Sequence, residues 1–240
     1  MTFTLKYTGN VVIALLLTIA VMIFIGVLVQ KFLINKVIDK GAEPALLVCF
    51  GLSITIQNAL FLAFGPNSQT IPTTLVNTNV LHTAHLAVSG QYALNFLVAV
   101  LIVTVLSVVM KKTTLGRAIR ATSSDIVAAE ILGVNTKRMY IYAMCLTMAA
   151  TSIVGLLVGQ TFVFYPSSGT QYLIIAFGVV VIGGMGSIFG TLIGGIILGL
   201  SQLLGSNFLG TPYQMLSGYI VLLIILTLRP QGLLSKKVRK

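Results

Sequence analysis

Charge is scarce in this 240-residue chain: Asp, Glu, Lys and Arg make up 8% of it, against roughly 25% in an ordinary soluble domain. None of the four occurs in residues 44–110 or 139–228. With 57% hydrophobic residues and a mean hydropathy of +1.03, such runs exclude a soluble enzyme of average make-up and point to a bilayer. Acids are scarcest. Asp39, Glu43, Asp125 and Glu130 all lie between apolar stretches, so no intramembrane carboxylate is offered to a proton or sodium ion. This argues against a carboxylate-dependent secondary transporter, although unwound backbone carbonyls remain another way to hold sodium.

Other absences narrow the chemistry further. Cys49 and Cys145 sit in apolar stretches outside any Cys-x-x-Cys or Cys/His cluster, so they imply no metal and say nothing of redox compartment. There is no Gly-x-x-x-x-Gly-Lys-Ser/Thr loop, so any ATP used is bound by another subunit. His-Glu-x-x-His and Gly-x-Ser-x-Gly are missing, and Gly184-x-Gly186 lacks the third glycine of a dinucleotide loop, so no enzyme and no cofactor is expected. His82 and His85 have no acid or cysteine near them and read as solvent-facing loop residues, not as metal ligands.

What is present is a series of membrane-length segments. A charge-free run from Tyr7 to Gln30 follows Lys6; it is too long for a signal-peptide core and lacks a cleavage site, so it reads as a retained helix. Within it, 19 apolar residues at 11–29 rise about 28 Å as a helix, close to a hydrocarbon core. Residues 45–64, 93–110 and 139–158 are three further spans. The net charge of +11 is carried by bases that flank these segments, so it signals topology and not nucleic acid. Lys31, Lys36 and Lys40 place the first connection in the cytoplasm, and Lys111, Lys112, Arg117, Arg120, Lys137 and Arg138 place the third there. The uncharged connection 65–92, opened by the turn Gly65-Pro66-Asn67, faces outward. Tyr92, Tyr172 and Tyr213 begin apolar segments on that side, and Tyr140 begins one on the inner side, as expected of headgroup-level rings.

A parity argument governs the rest. Arg229, Lys236, Lys237, Arg239 and Lys240 belong inside and residues 159–172 outside, so an odd number of crossings separates them. Residues 213–228 supply one, so 173–204 supply two or none. The turn is written as Gly183-Gly184-Met185-Gly186-Ser187, and either two short crossings or a re-entrant pair fits. Gly183, Gly184 and Gly186 are candidates for a hinge beside a pathway. Gly186, Gly190 and Gly194 recur every fourth residue, and for Gly190 and Gly194 close helix packing is the favoured reading. No linker or repeat divides the chain, so the expectation is one all-α membrane domain over residues 1–240. Its form is a polytopic transmembrane helical bundle with a broken or re-entrant glycine-rich helix pair.

Two polar features stand out. Gln57 and Asn58 are adjacent amides near the outer end of the second span, where hydrogen bonding between helices is favoured over substrate contact. In the third connection, Val127, Ala128, Ile131 and Leu132 recur at helical spacing. Ser123, Ser124 and Asp125 are available to cap their start and Gly133 to end them. This predicts one short cytoplasmic helix, which needs tertiary contacts to persist. A basic loop lying on anionic lipid is the alternative.

The ordered set of these motifs resembles the permease subunits of ATP-binding-cassette importers for branched-chain amino acids. Three segments carry the likeness. They are Gly51-Leu52-Ser53-Ile54 with Gln57-Asn58 and Phe64-Gly65-Pro66; Gly116-Arg117-Ala118-Ile119-Arg120-Ala121 with Ala128-Ala129 and Leu132-Gly133-Val134-Asn135; and Ala176-Phe177, Gly183-Gly184-Met185-Gly186-Ser187-Ile188, Gly190, Gly194-Gly195 and Arg229-Pro230-Gln231-Gly232-Leu233. The resemblance implies that residues 111–138 contain the coupling helix, seated in a groove of a cytoplasmic ATPase subunit. Val127, Ala128, Ala129, Ile131, Leu132 and Gly133 then supply the contact after Asp125, and Arg117 and Arg120 anchor the loop to lipid or to ATPase acids. It also implies a second permease subunit and an external substrate-binding protein delivering to residues 65–92. Related permeases handle urea, other amides or other amino acids, so substrate is less fixed than family. Family members usually begin with further helices that include an Asn-Phe-Ala-His-Gly-like motif. Nothing like it precedes Val11, so the expectation is an N-terminally shortened permease. A stand-alone channel or carrier and a membrane scaffold are the rival readings.

Overall fold

The computed structural model describes residues 11–38, 42–68, 70, 79–83, 86–184, 186–229 and 231–234. Its elements are α1 (Val11–Val29), α2 (Ala42–Phe64), β1 (Asn79–Thr83), β2 (Leu86–Ser89), α3 (Gly90–Lys112), α4 (Thr114–Ser124), α5 (Ile126–Ile131), α6 (Thr136–Thr161), α7 (Ser168–Gly183), α8 (Ile188–Leu209) and α9 (Gln214–Leu228). Among the described residues six helices are long and apolar enough to cross a membrane, and α7 is a shorter apolar one. The protein is a polytopic transmembrane helical protein. Its contacts divide it into two compact units, one of Met1–Ile102 with Val108–Ser167 and the other of Val103–Ser107 with Ser168–Lys240.

In the first unit α1 packs along α6, where Met148 lies across Gly26, and Ala14, Leu156 and Leu157 are buried. Below α1 the helix widens into a π-helical turn, Gln30–Ile34, in which Asn35 N donates to Gln30 O. The buried Gln30 also donates through Nε2 to Asn35 Oδ1 at 2.9 Å, so the inserted residue leaves no polar side chain stranded. This turn touches both α2 and α6. By contrast, none of the most apolar stretch of α2 is buried among the described residues.

The connection between α2 and α3 contains a short antiparallel hairpin that the sequence reading did not include. Its register is irregular between Asn79 and Leu81, and His82 pairs with Ala87 across it. His85 lies outside the described residues.

In the second unit α8 packs against both α7 and α9. Ser217 Oγ of α9 donates to Ser201 O of α8 at 2.9 Å, a bond between helices made possible by small residues on both. Ile182 and Leu198 are buried here. Gly186, expected on one helical face with Gly190 and Gly194, instead lies in the turn before α8 with φ +90°; the glycine face starts at Gly190.

Candidate functional site

The third connection is built from local caps. Thr113 is extended, accepts from Gly116 N at 3.1 Å and so starts α4, while its own hydroxyl donates to Val109 O at 2.6 Å. Gly116 faces straight back onto the end of α3, where a Cβ would run into the carbonyls of Val109 and Met110. The corner between the span and α4 is therefore closed to any larger residue. α4 buries Gly116, Ile119 and Thr122, one face at helical spacing, and packs on α5 and α6. Arg117 and Arg120 are exposed on it.

One helix was expected in this connection and two are present. Asp125 divides them: it is extended (φ −154°, ψ 111°), ends α4 by donating its N–H to Ala121 O, and starts α5 by accepting from Ala128 N at 3.0 Å. Ser123 and Ser124, the other cap candidates, bond back to Ile119 O and Arg120 O within α4. Gly133 ends α5 in the left-handed region (φ +79°). There Gly133 N donates to Glu130 O at 2.9 Å and Val134 N to Ala129 O at 3.0 Å, the paired bonds of a Schellman ending. Asn135 then caps α6 through Arg138 N at 3.1 Å. The buried Thr136 donates to Glu130 Oε1 at 2.7 Å, joining α5 to the first turn of the span.

These anchors leave a definite free surface. Val127, Ile131 and Leu132 are 66%, 80% and 79% exposed, and Ala128 and Asp125 are exposed beside them. Ala129 differs from its neighbours in the expected contact set, because it is 2% exposed. The outward face of α5 is thus Val127, Ala128, Ile131 and Leu132, with Ala129 as its footing.

In the second unit the glycine-rich sequence forms a break, residues 184–187, between α7 and α8. Gly184 and Gly186 both have positive φ. Ser187 accepts from Gly190 N at 3.0 Å and starts α8. Gly183 is the buried last residue of α7, and a Cβ on it would meet the backbone of Gly190 and Thr191. Gly194 approaches Val179 O and Gly183 N in the same way. Gly190 and Gly194 thus serve close packing, as read from their spacing.

The two amides of α2 differ in exposure. Asn58 is exposed and donates to Ile54 O of its own helix at 2.8 Å, and Gln57 is half-buried. Besides the Ser217–Ser201 bond, side-chain bonds between spans occur where α3 starts and α6 ends. Gln91 Nε2 donates to Gln160 Oε1 at 3.2 Å, and Asn95 Nδ2 to Thr161 Oγ1 at 2.7 Å. Sequence reasoning missed these pairs, which join residues 69 and 66 positions apart. Among the described residues no buried side-chain nitrogen or oxygen lacks a partner.

Residues 4–228 match the family described as "Branched-chain amino acid transport system / permease component". The chain belongs to this family. It is 32% identical over 196 residues to the high-affinity branched-chain amino acid transport system permease protein LivH of Escherichia coli (strain K12), covering 80% of this chain and 64% of that protein. Over 195 residues it is 30% identical to the permease protein BraD of Pseudomonas aeruginosa, with the same coverage. A ribose import permease protein, RbsC of Haemophilus influenzae, is 28% identical over 124 residues, 48% of this chain and 38% of that one. No solved structure matches. The chain thus spans 64% of the length of the LivH and BraD permeases. The family is a transport permease component and not an enzyme class, which places the chain as a multi-pass protein of the cytoplasmic membrane.

Proposed function

We propose that the chain is the membrane-spanning permease of an ATP-binding-cassette importer, passing branched-chain amino acids inward while a separate cytoplasmic subunit hydrolyses ATP. The observation that carries this reading is α5. A six-residue helix does not persist in water alone, yet this one is capped at both ends, footed on Ala129 and left with Val127, Ile131 and Leu132 free. Such a surface suits a shallow apolar groove on an ATPase subunit. Arg117 and Arg120 on α4 reach anionic headgroups or acids of that subunit. Closure of an ATPase dimer moves α5, and the Thr136–Glu130 bond passes the motion to α6. Gly183, Gly184 and Gly186 mark the moving break.

On this reading the whole chain works as one permease domain, beside a second permease subunit and an external substrate-binding protein. The substrate follows the names of the LivH and BraD relatives. α7 has 16 residues and rises about 24 Å, short of a full hydrocarbon core. Hydrogen bonds from Leu233 and Leu234 to its last residues set the break level with the C-terminal end of α9, which supports two crossings over a re-entrant pair.

The test is purification of the tagged protein from its native membrane, with leucine uptake and ATP hydrolysis measured on the same preparation. The unaltered chain is expected to bring down an ATPase, and Ile131→Asp with Leu132→Asp to lose it while still inserting in the membrane. If uptake and association survive that double substitution, α5 is not the coupling element.

A further inference from the structure

The break between α7 and α8 is not closed by its own residues alone. A helix ends with carbonyls that its own amides cannot reach, and in apolar surroundings each needs a donor. Gly184 N fills the first locally, donating to Val180 O at 3.0 Å. The last two carbonyls of α7, those of Ile182 and Gly183, are filled from a distant part of the chain, beyond α8 and α9. Leu233 N donates to Ile182 O at 2.9 Å, and Leu234 N donates to Gly183 O at 3.2 Å. The chain reaches them through a tight turn after α9, in which Gly232 N donates to Arg229 O at 2.9 Å. Gly232 is buried with φ +82°, and a Cβ there would strike Gly184 and stand 2.7 Å from Val181 O. The segment after α9 is therefore pressed against the one place where α7 stops.

We propose that residues 232–234 are a positioning strap that holds the α7–α8 break in its present conformation, and that this strap lets go when the importer changes its access state. The inference rests on the permease reading above and adds a moving part to it. Three features argue for a releasable contact over a permanent cap. The bonds come from a separate element, so they can be lost without unwinding α7, whereas the local bond from Gly184 cannot. The strap holds α7 by main-chain bonds at its end. A displacement of about 1 Å carries bonds of 2.9 and 3.2 Å out of hydrogen-bond range, so the contact is either made or broken. Finally, the strap continues from α9, which packs along α8 and touches α7, so any slip of α7 against α9 is registered at Leu233 and Leu234.

The experiment is hydrogen exchange on the whole importer in lipid vesicles, read at residues 180–184 and 229–234, at rest and with ATP trapped by vanadate. At rest the amides of Leu233 and Leu234 are expected to be protected, and in the trapped state to exchange about tenfold faster or more. Equal protection in both states, or free exchange in both, overturns the strap. Residues 126–132 report separately in the same samples. If they are shielded by the ATPase while Leu233 and Leu234 do not respond, the strap fails and the permease reading stands. If nothing shields them, that reading fails and the strap's part in the cycle goes with it. Gly232→Val supplies a second arm, with Gln231→Val at the exposed neighbouring position as control. Gly232→Val is expected to lower uptake about tenfold while ATP hydrolysis continues, and unchanged uptake overturns the proposal. Should that variant fail to accumulate, the exchange comparison on the unaltered protein decides.

Discussion

Thr136 donates to Glu130 Oε1 at 2.7 Å, so the last turn of α5 is fastened to the first turn of a 26-residue helix. Thr136 is buried and Glu130 exposed, which means the bond has one fixed end and one end in reach of solvent. Thr136→Val keeps the shape and removes the donor. We expect a loss of about 1 kcal/mol in stability and a larger fall in uptake per ATP hydrolysed. Thermal unfolding and the transport-to-hydrolysis ratio measure the two, and an unchanged ratio refutes the transmission role.

Gly190 and Gly199 lie on the same helix but in opposite circumstances. A Cβ on Gly190 meets the backbone of Gly183, which cannot rotate away, while one on Gly199 meets nothing within 4 Å. Gly190→Ala is expected to cost about 1–3 kcal/mol through forced separation of α7 and α8. Gly199→Ala should be neutral or stabilise by up to about 1 kcal/mol, since a helical glycine is replaced without a clash. Melting temperatures of the two variants in detergent test this, and the prediction fails if both move the same way.

For Gly133 the constraint is conformational and not steric. Its φ is +79°, yet a Cβ finds open space. Gly133→Ala should loosen the end of α5 by roughly 1–2 kcal/mol, and Gly133→Asn by less, because Asn tolerates the left-handed region. Hydrogen exchange at residues 130–134 reads this out. Equal rates in the two variants would mean that the ending does not depend on that conformation.

The outer bond between Asn95 and Thr161 lends itself to a double-mutant cycle. Asn95→Leu and Thr161→Val each remove one partner, and the coupling energy between them should be about 1 kcal/mol, typical of side-chain bonds between membrane helices. Zero coupling would mean that the 2.7 Å contact contributes no net stability.

Most of the spans were legible because hydropathy and charge act over many residues at once. The break between α7 and α8 was legible from parity together with the glycines, and the Gly133 ending from residue type, whereas residue type left Asp125 level with Ser123 and Ser124 as the cap. α6 starts at Thr136, three residues before the expected edge, because Lys137 and Arg138 were read as loop although charged residues sit readily in a first helical turn at the membrane surface. α4 was missed because its buried face includes Gly116 and Thr122, which a hydrophobic pattern does not count. Neither the strap nor the Asn95–Thr161 bond was identified, because each joins residues more than forty positions apart and no local rule pairs them.

Thr113, Asp125 and Asn135 each accept the backbone N–H of the residue three positions on. Every helix start around the third connection is thus capped by a residue three positions before the amide it accepts. The connection's shape is written locally, and its seat on the spans is not. The caps travel with residues 113–135 in any exchange between related permeases, whereas the packing of α4 on α6 and the Glu130–Thr136 bond have to be matched to the recipient.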